Sequence, residues 1–278
     1  MWGMGPRTFE LTWSENITLR DITFRNSPSW TVHPTFSSNI LAENIRIENP
    51  RFTPNTDGFD PDSCVNVVLR DSYIDTGDDG ISIKSMNSTQ PGSGHIMMPS
   101  RNIHIYNTKI LSRNVCVGSA TFGGVYDVVV EDCEIGNLKG SSPWAIKYKS
   151  HQNQPGPLRN HTWRRLRIGN ITSNNYQQPN AGYFISIELR YHPLIPNRTC
   201  ETWNCPTFQD VTFENISIYA AQRAGDINGF LGDSLRGLTF RNVTFENLPS
   251  ESDWSCGYVD LSTFSAIDVF PPLTCRED

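Results

Sequence analysis

An imperfect repeat of short strands constrains the fold of this chain more than any other feature of its sequence. Each copy begins with a corner residue, usually Asn, alternates apolar and polar residues, passes a charged pair and ends in a second short strand, as in Asn16–Phe24 and Asn39–Ile47. Eight copies are recognisable, and they begin at Asn16, Asn39, Asn66, Asn102, Val125, His161, Phe208 and Leu235. A repeat with spacings from 23 to about 50 residues is typical of a solenoid, whose coils stack on their neighbours.

The composition of the repeat indicates which kind of solenoid this is. The segments are rich in β-branched residues and alternate with a period of two, which argues against helical repeats. Asn between two short strands suits a left-handed backbone corner, and stacked Asn side chains can form ladders. A β-sandwich would also contain many short strands. The regular Asn corners favour an all-β fold, a right-handed, single-stranded parallel β-helix.

Length and charge limit the number of domains and the kinds of partner. The chain has 278 residues and a formal net charge of -6, and we expect one domain over residues 1–278, with residues 252–278 as a C-terminal cap. No comparable cap is recognisable before the first coil, so we expect the N-terminal coils to be missing. No long basic run suggests nucleic-acid binding, and no apolar run approaches the roughly 20 residues that cross a membrane. We expect a monomer.

The cysteines favour an extracellular location. Cys200/Cys205 and Cys256/Cys275 lie in loop-like segments flanked by Pro and are predicted to form local disulfides, which persist outside the reducing cytosol. The total of seven Cys leaves at least one free thiol, for which Cys64 is the candidate. No zinc-ribbon or redox spacing occurs, so neither a metal nor a cofactor is predicted. The first six residues lack the pattern of a signal peptide, yet we expect secretion.

Seven Asn-x-Ser/Thr sequons are consistent with a secreted glycoprotein. Those at Asn16, Asn170, Asn215 and Asn242 fall within the repeat and are candidates for structural roles, and a further one is at Asn160. The sequons at Asn87 and Asn197 lie in loop-like sequence and are the better candidates for glycosylation.

Acidic residues are concentrated at two turns that lie about one period apart. These turns contain Asp57, in Asn-Thr-Asp-Gly, and the pair Asp78-Asp79, in Gly-Asp-Asp. Residues one coil apart stack at the inter-strand distance of roughly 5 Å, so the three carboxylates should share one surface. Close carboxylates push their pKa values apart and yield one acid and one base, as glycoside hydrolysis requires. Asp60 and Asp62 are expected instead to accept hydrogen bonds from backbone donors in their loop.

These acidic motifs, with the blocks around them, resemble the polygalacturonases of glycoside hydrolase family 28. The matching blocks are Asn26–Pro34, Asp60–Cys64, Ile81–Ser85, Val117–Gly124, Ala145–Ser150 and Ile185–Tyr191, in order, and the resemblance covers about residues 6 to 275. It is closest to the exo-acting plant and bacterial branch. The resemblance implies a hydrolase that cleaves α-1,4-galacturonosyl bonds of pectin with inversion of configuration, and it makes a pectic polysaccharide the expected partner.

By position, the resemblance also implies catalytic roles. Asp78 would be the general acid, and Asp57 and Asp79 would hold and activate the attacking water. Asn55 would orient this acidic cluster.

Four further residues are implied to bind substrate. Lys149 matches the substrate-binding lysine of the family, and Tyr191 matches the tyrosine of the binding subsite. Lys147 replaces an arginine, which keeps the charge but loses the bidentate fork for a uronate carboxylate. The two lysines alternate along one predicted strand and should face the same side. Arg113 is a further candidate for a contact with substrate.

One departure from the family pattern leaves the function open. Where the family carries Gly-His-Gly, this chain has Ser112-Arg113-Asn114, so the histidine that tunes the acid is missing. Two alternatives to a galacturonan hydrolase therefore stay open. One is a rhamnogalacturonan hydrolase, and the other is a catalytically inactive β-helix protein that binds pectin.

Overall fold

The fold is a right-handed parallel β-helix, as the repeat predicts. The structure is a computed structural model that describes residues 5–51, 53–90, 94–136, 142–151, 153–169, 171–172, 182–189, 191, 205–229, 235–249, 254–273 and 275. All regular elements among these residues are strands.

The first twelve strands run from the first coil to the middle of the solenoid. They are β1 (Phe9–Thr12), β2 (Glu15–Arg20), β3 (Thr23–Arg25), β4 (Val32–Thr35), β5 (Ser38–Glu43), β6 (Arg46–Glu48), β7 (Val65–Arg70), β8 (Tyr73–Asp75), β9 (Ile81–Ser85), β10 (Asn87–Gln90), β11 (Gly94–Met97) and β12 (Ser100–Tyr106). The remaining strands are β13 (Lys109–Ile110), β14 (Val115–Thr121), β15 (Val125–Glu131), β16 (Glu134–Gly136), β17 (Trp144–Lys149), β18 (Leu158–Gly169), β19 (Tyr183–Glu188), β20 (Phe208–Ile218), β21 (Arg223–Asn228), β22 (Arg236–Phe245), β23 (Trp254–Gly257) and β24 (Ser265–Phe270).

Equivalent strands of successive coils pair in parallel and build three faces. The first face runs from β9 through β14, β17, β19 and β21 to β23. Single bridges at Phe59 and Asp62 connect it to β4, which pairs with β1. The second face contains β2, β5, β7, β12 and β15, and the third contains β3, β6, β8, β13 and β16. The long strand β18 joins the second and third faces, and β20, β22 and β24 continue from it.

Side chains that point inward stack into a continuous apolar core. On the first face, one inward row consists of Val32, Phe59, Ile81, Val115, Ile146 and Ile185, which are all fully buried. Because the pleat alternates, the residues between these positions point away from the core. The first face therefore presents a second set of rows outward, and these rows carry the polar residues described below.

Asparagines occupy the corners between the strands, as predicted. Asn16, Asn39, Asn66 and Asn102 all have left-handed φ values, between 55° and 59°. Each of the last three donates a side-chain hydrogen bond to the Asn of the preceding coil, over 3.2, 2.8 and 2.7 Å. A left-handed backbone costs Asn less than most residues, and the ladder pairs amides that would otherwise compete with the strands.

The sequon asparagines fall partly on these corners. Asn16, Asn160, Asn215 and Asn242 have left-handed φ values and lie in side-chain ladders of this kind. The structural interpretation of Asn16, Asn215 and Asn242 is therefore consistent with the fold. Asn170 and Asn197 lie outside the described residues.

The cysteines confirm one of the two predicted disulfides. Cys256 is bonded to Cys275, while Cys64, Cys116 and Cys133 are free and buried. Cys200 lies outside the described residues, so the bridge between Cys200 and Cys205 stays a prediction.

The C-terminal segment continues the solenoid. Strand β23 pairs in parallel with β21 on the first face, and β24 pairs in parallel with β22. The extent of a cap within residues 252–278 stays a prediction. In the part of the chain that the structure describes, no helix could cross a membrane.

Candidate active site

The two acidic turns lie side by side at one end of the first face. The backbone N–H of Gly58 donates to the carbonyl oxygen of Asp79 over 2.9 Å. This bond places Asp57 in the coil directly before Asp78 and Asp79. The cluster that the sequence predicts therefore exists, because the coils stack in the expected register.

Glycine allows the two turns to approach each other this closely. A Cβ atom on Gly58 would lie 2.4 Å from the carbonyl oxygen of Gly80, which is closer than real Cβ contacts. A Cβ atom on Gly80 would lie 2.6 Å from the hydroxyl of Ser112 in the following coil. The residue after each acidic motif is thus restricted to glycine by the neighbouring backbone and side chain.

Asp78 is held by backbone donors. The N–H of Asn55 donates to Oδ2 over 2.9 Å, and the N–H of Asp79 donates to Oδ1 over 3.0 Å. Burial and the neighbouring Asp79 raise the pKa of Asp78, while Arg113, whose guanidinium lies 3.7 Å from Oδ2, acts to lower it. A carboxyl group with a raised pKa keeps its proton at higher pH, as a general acid must.

Asp79 has the opposite environment. Burial acts to raise its pKa, but the charges of Lys149 and Lys84 outweigh burial and lower the pKa to about 2. The ammonium of Lys149 lies 2.6 Å from Oδ2, and Nδ2 of Asn114 donates to Oδ1 over 2.9 Å. Asp79 is therefore ionised over the acidic range, and the pKa values of this adjacent pair are separated, as the sequence analysis predicts.

Asp57 is not equivalent to Asp79. Burial and the nearby Asp60 raise the pKa of Asp57 well above its ordinary value, and the ammonium of Lys84, 3.3 Å from Oδ2, acts to lower it. Whether Asp57 is ionised therefore depends on Lys84. Lys84 was not among the residues that the sequence motifs indicated. The available signal was the alternation along β9, which places Lys84 on the outward side of the strand that follows the acidic pair.

The expectation for Asp60 is wrong, and that for Asp62 is right only in the kind of donor. Asp62 accepts a hydrogen bond from the backbone N–H of Met86 over 2.8 Å, but Met86 belongs to the next coil and not to the loop of Asp62. Asp60 is fully buried, and its Oδ2 accepts from the ammonium of Lys84 over 2.9 Å. Lys84 points outward from the next coil on the first face, so its ammonium group reaches Asp60 and forms an ion pair with it.

The two predicted substrate-binding lysines face the same side, as expected. Tyr148 between them points into the core, where its hydroxyl is hydrogen bonded to His161 and Trp163. Both lysines are buried and both are already paired with carboxylates. Lys147 lies 3.1 Å from Oε2 of Glu188 and 3.4 Å from the ring centroid of Trp144, and burial lowers its pKa.

Tyr191 lies at the same place on the first face. Its ring centroid is 5.4 Å from the ammonium of Lys147 and 5.6 Å from that of Lys149, and its backbone N–H donates to Ser150. The structure therefore brings Tyr191 and the two lysines together beside Asp79, as the resemblance implies.

The Ser112-Arg113-Asn114 segment occupies the coil after the acidic pair. The N–H of Arg113 donates to the carbonyl oxygen of Asp78, and the carbonyl oxygen of Asn114 accepts from Gly80. Arg113, at the position of the family histidine, thus faces Asp78, and Asn114 faces Asp79. Asn55 is exposed, and it orients Asp78 through its backbone N–H.

No metal site is recognisable among the described residues, because no group of three His, Cys, Asp or Glu side chains is arranged to hold a metal ion. The chemistry of the cluster follows from carboxylates, lysines and Arg113. In the Asp78–Asp79 pair, the carboxyl group with the raised pKa can donate one proton and the ionised carboxylate beside it can accept another.

Comparison with known families matches nearly the whole chain. The model of the family "Glycosyl hydrolases family 28" matches residues 4–266. The chain belongs to this family.

Curated proteins similar to this family 28 chain include plant and bacterial ones. A Vitis vinifera protein described as a "Probable polygalacturonase" is 29% identical over 265 residues, covering 92% of this chain and 50% of its own length. An "Endo-polygalacturonase" of Pectobacterium carotovorum subsp. carotovorum is 28% identical over 253 residues, covering 90% of this chain and 54% of its own length. The chain thus spans about half the length of the curated relatives it matches.

Solved structures of the family have the same fold. A polygalacturonase from Erwinia carotovora ssp. carotovora superimposes with a TM-score of 0.72 at 23% identity, over 92% of this chain and 59% of that one. A hyperthermoactive exopolygalacturonase from Thermotoga maritima superimposes with a TM-score of 0.66 at 22% identity, over 91% of this chain and 49% of that one.

Proposed function

We propose that this family 28 protein hydrolyses α-1,4-galacturonosyl bonds of a pectic polygalacturonate with inversion of configuration. The observation that carries the proposal is the separation of pKa values within one pair of adjacent aspartates, of which Asp79 is buried and Asp78 is partly exposed. Burial and Asp79 raise the pKa of Asp78, whereas Lys149 and Lys84 overcome burial and lower that of Asp79 to about 2. This pair can donate a proton to a leaving group and accept one from water within the same site.

In the proposed reaction, Asp78 gives its proton to the glycosidic oxygen as the bond to the anomeric carbon breaks. Asp79, together with Asp57 when that residue is ionised, takes a proton from the attacking water. Water attacks the face opposite the leaving group, so the configuration inverts in one displacement. Asn55 holds the carboxyl group of Asp78 in place through a hydrogen bond from its backbone N–H, and Arg113 holds it through its charge.

The proposed uronate subsite contains Lys149, Lys147 and Tyr191. Each lysine has a carboxylate partner within the protein, so a substrate carboxylate would join an existing pair rather than meet a free cation. We propose exo action because the sequence blocks are closest to the exo-acting branch. We also propose a secreted monomer with a single catalytic domain over residues 1–278.

A rhamnogalacturonan is the second candidate substrate, and Glu188 favours it. This carboxylate lies 3.1 Å from Lys147 and is partly exposed. A neutral sugar next to a uronate would avoid repulsion from Glu188, whereas a second uronate would not. Rhamnogalacturonan alternates a uronate with a neutral sugar. The uronate would bind next to Lys149, and the neutral sugar next to Lys147, whose charge is offset by Glu188.

The test compares three polymers with one enzyme preparation. Release of reducing ends is measured on polygalacturonate, on its fully methyl-esterified form and on rhamnogalacturonan. We expect the fastest release from polygalacturonate, with monomeric galacturonate as the first product. Faster release from rhamnogalacturonan would select the second candidate. Binding of polygalacturonate without release from any polymer would contradict both and leave a pectin-binding protein.

A further inference from the structure

A single buried ammonium group is shared between two carboxylates beneath the candidate active site. Nζ of Lys84 lies 2.9 Å from Oδ2 of Asp60 and 3.3 Å from Oδ2 of Asp57. It also donates to Ser82, and the ring centroid of Trp30 lies 4.6 Å away. The side chains of Lys84, Asp57 and Asp60 are 6%, 7% and 0% exposed. Water therefore contributes little to stabilising any of these charges.

One cation cannot neutralise both carboxylates. Among the described residues, Lys84 is the only side-chain cation within 4.0 Å of either Asp57 or Asp60. Oδ1 of Asp60 has no hydrogen-bond partner in the same set of residues. Two buried carboxylates that share one charge disfavour double ionisation, and one of them tends to keep a proton.

The other charged groups around this cluster do not remove the competition. Asp79 faces Asp57 and adds negative charge, as Asp78 does once it has lost its proton, and His33 faces Asp60. Cys116 lies near Lys84 and is neutral, because burial raises the pKa of its thiol to about 12. The cations Lys149 and Arg113 are directed to Asp79 and Asp78, their partners on the far side of the cluster.

We propose that Lys84 is a positioning residue that keeps Asp57 ionised, and that Asp60 competes with Asp57 for its ammonium group. When Asp60 holds a proton, Lys84 is left to Asp57, which can then accept a proton from water. When Asp60 is ionised, the proton moves to Asp57 and this carboxyl group can no longer act as a base. The inference rests on the proposed function, because it assigns a consequence for hydrolysis.

Two substitutions separate this role from a structural one, because they change the proton affinity of Asp57 in opposite directions. Lys84→Met removes the cation, so Asp57 takes up its proton at higher pH. Asp60→Asn removes the competing charge, so Asp57 ionises at lower pH. Activity that needs ionised Asp57 falls as pH falls, and this acidic limb reports the change.

We expect the acidic limb of the kcat profile on the preferred polymer to move up by at least about one pH unit in Lys84→Met. We expect it to move down by about one pH unit in Asp60→Asn, the size of shift that one nearby charge produces. Asp62→Asn is the matched control, because Asp62 is equally buried but lies outside ion-pair distance of Lys84. Its limb should stay within about 0.3 units of the parent protein.

Shifts of both variants in the same direction, or a uniform loss at all pH values, would overturn the proposal. If Lys84→Met does not fold, Asp60→Asn decides alone, and an acidic limb that does not move contradicts the proposal.

If the parent protein hydrolyses no polymer, the proposed function fails, and the inference is tested by carbon NMR titration of the Asp side chains. The Asp57 resonance, identified by its loss in Asp57→Asn, should then titrate at lower pH in Asp60→Asn than in the parent protein. An unchanged midpoint would refute the proposal that Asp60 competes with Asp57 for the ammonium group of Lys84.

Discussion

Three aspartates at one site differ in charge because different groups lie behind them. Asp78 meets two backbone N–H groups, Asp79 meets a lysine and an amide, and Asp57 meets a lysine that it shares with Asp60. Burial acts to raise the pKa of all three. Only at Asp79 do the nearby cations outweigh burial and lower the pKa, so each single substitution has a distinct expected signature.

Asp78→Asn should lower turnover by at least about 10²-fold, the usual scale for loss of a general acid. The substrate dissociation constant should change little, because the amide keeps the size of the carboxyl group and, at Oδ1, the hydrogen bond from the N–H of Asp79, and loses only the bond from the N–H of Asn55. Asp21→Asn is the matched control: Asp21 lies on an exposed corner ladder, where Asn44 occupies the same position in the next coil. Turnover close to that of the control would remove Asp78 from the proposed role.

Asp57→Asn should stabilise the fold at pH 7 while it lowers activity. The folded-state pKa of Asp57 is raised, so its ionised form destabilises the fold above that pKa and makes no contribution below the unfolded value of about 3.9. Lys84 keeps Asp60 as a partner in the variant. We expect the melting temperature at pH 7 to rise by about 2–4 °C, the change per kcal/mol for a chain of this size. The gain should shrink as pH falls towards 4, and a lower melting temperature at pH 7 would contradict the buried-charge argument.

At the scale of strands, the register of neighbouring coils decides which side chains meet. Lys147 on β17 pairs with Ser186 on β19, and Lys149 pairs with Glu188 of the same strand. Lys149 nevertheless turns back to Asp79, 70 residues earlier, and Glu188 turns to Lys147. Glu188 thus neutralises part of the cationic patch that a polyuronate would use.

Lys147 and Glu188 should therefore have opposite effects on binding of polygalacturonate. Lys147→Met should weaken binding, and Glu188→Gln should strengthen it several-fold, because it removes repulsion and leaves Lys147 to the substrate. Both effects should shrink with salt over a Debye length of about 8–10 Å. Glu134→Gln is the control, because Glu134 forms a similar pair with Lys109 on the third face, 3.0 Å apart. Weaker binding by Glu188→Gln, measured calorimetrically, would show that Glu188 positions Lys147 instead of competing for it.

The corner ladder is a second feature at this scale, and it separates backbone strain from hydrogen bonding. Asn39 is left-handed, with φ at 56°, and lies between Asn16 and Asn66 in the ladder. Asn39→Ala should cost about 1–2 kcal/mol for the left-handed backbone, and about 1 kcal/mol for each lost hydrogen bond. Asn39→Gly should lose the hydrogen bonds but less of the backbone term. Equal unfolding midpoints for the two variants in urea would contradict the strain argument.

The sequence predicted those parts of the molecule that depend on local chemistry. Asn before a β-branched residue indicates a left-handed corner whatever the neighbouring coil is, so the ladder and the strands were predictable. The acidic turns were predictable because Asp57 and Asp79 follow the same repeat. The Lys84–Asp60 pair and the contact of Asn114 with Asp79 were not. They depend on the register of coils 24 to 35 residues apart, and inserted loops of varying length hide that register.

At the scale of the whole molecule, a solenoid gathers charge on faces instead of spreading it evenly. The chain has net charge -6, yet the proposed substrate is a polyanion. Lys84, Lys147 and Lys149 all lie on the first face, and each is paired with carboxylates. Positive and negative charges on the first face therefore nearly cancel. The number of protonated aspartates then sets the electrostatic potential that a substrate meets.

The ends of a solenoid lack a neighbouring coil, and the open edges of the first described coil should make this chain, a monomer when dilute, self-associate at high concentration. Among the described residues, β2 pairs only with β5 and β3 only with β6, so each has an open edge. Trp13 and Ile22 are 46% and 37% exposed there. At the other end β24 also has one neighbour among the described residues, β22, but Leu273, Cys256 and Cys275 pack against the core there and the two cysteines are bonded to each other. We expect concentration-dependent association in sedimentation experiments on the 278-residue chain. Ile22→Lys should reduce it more than Ile267→Lys, the matched change on β24, where Ile267 is 48% exposed. A chain that stays monomeric at high concentration, or responds only to Ile267→Lys, would place the weak end of the solenoid elsewhere.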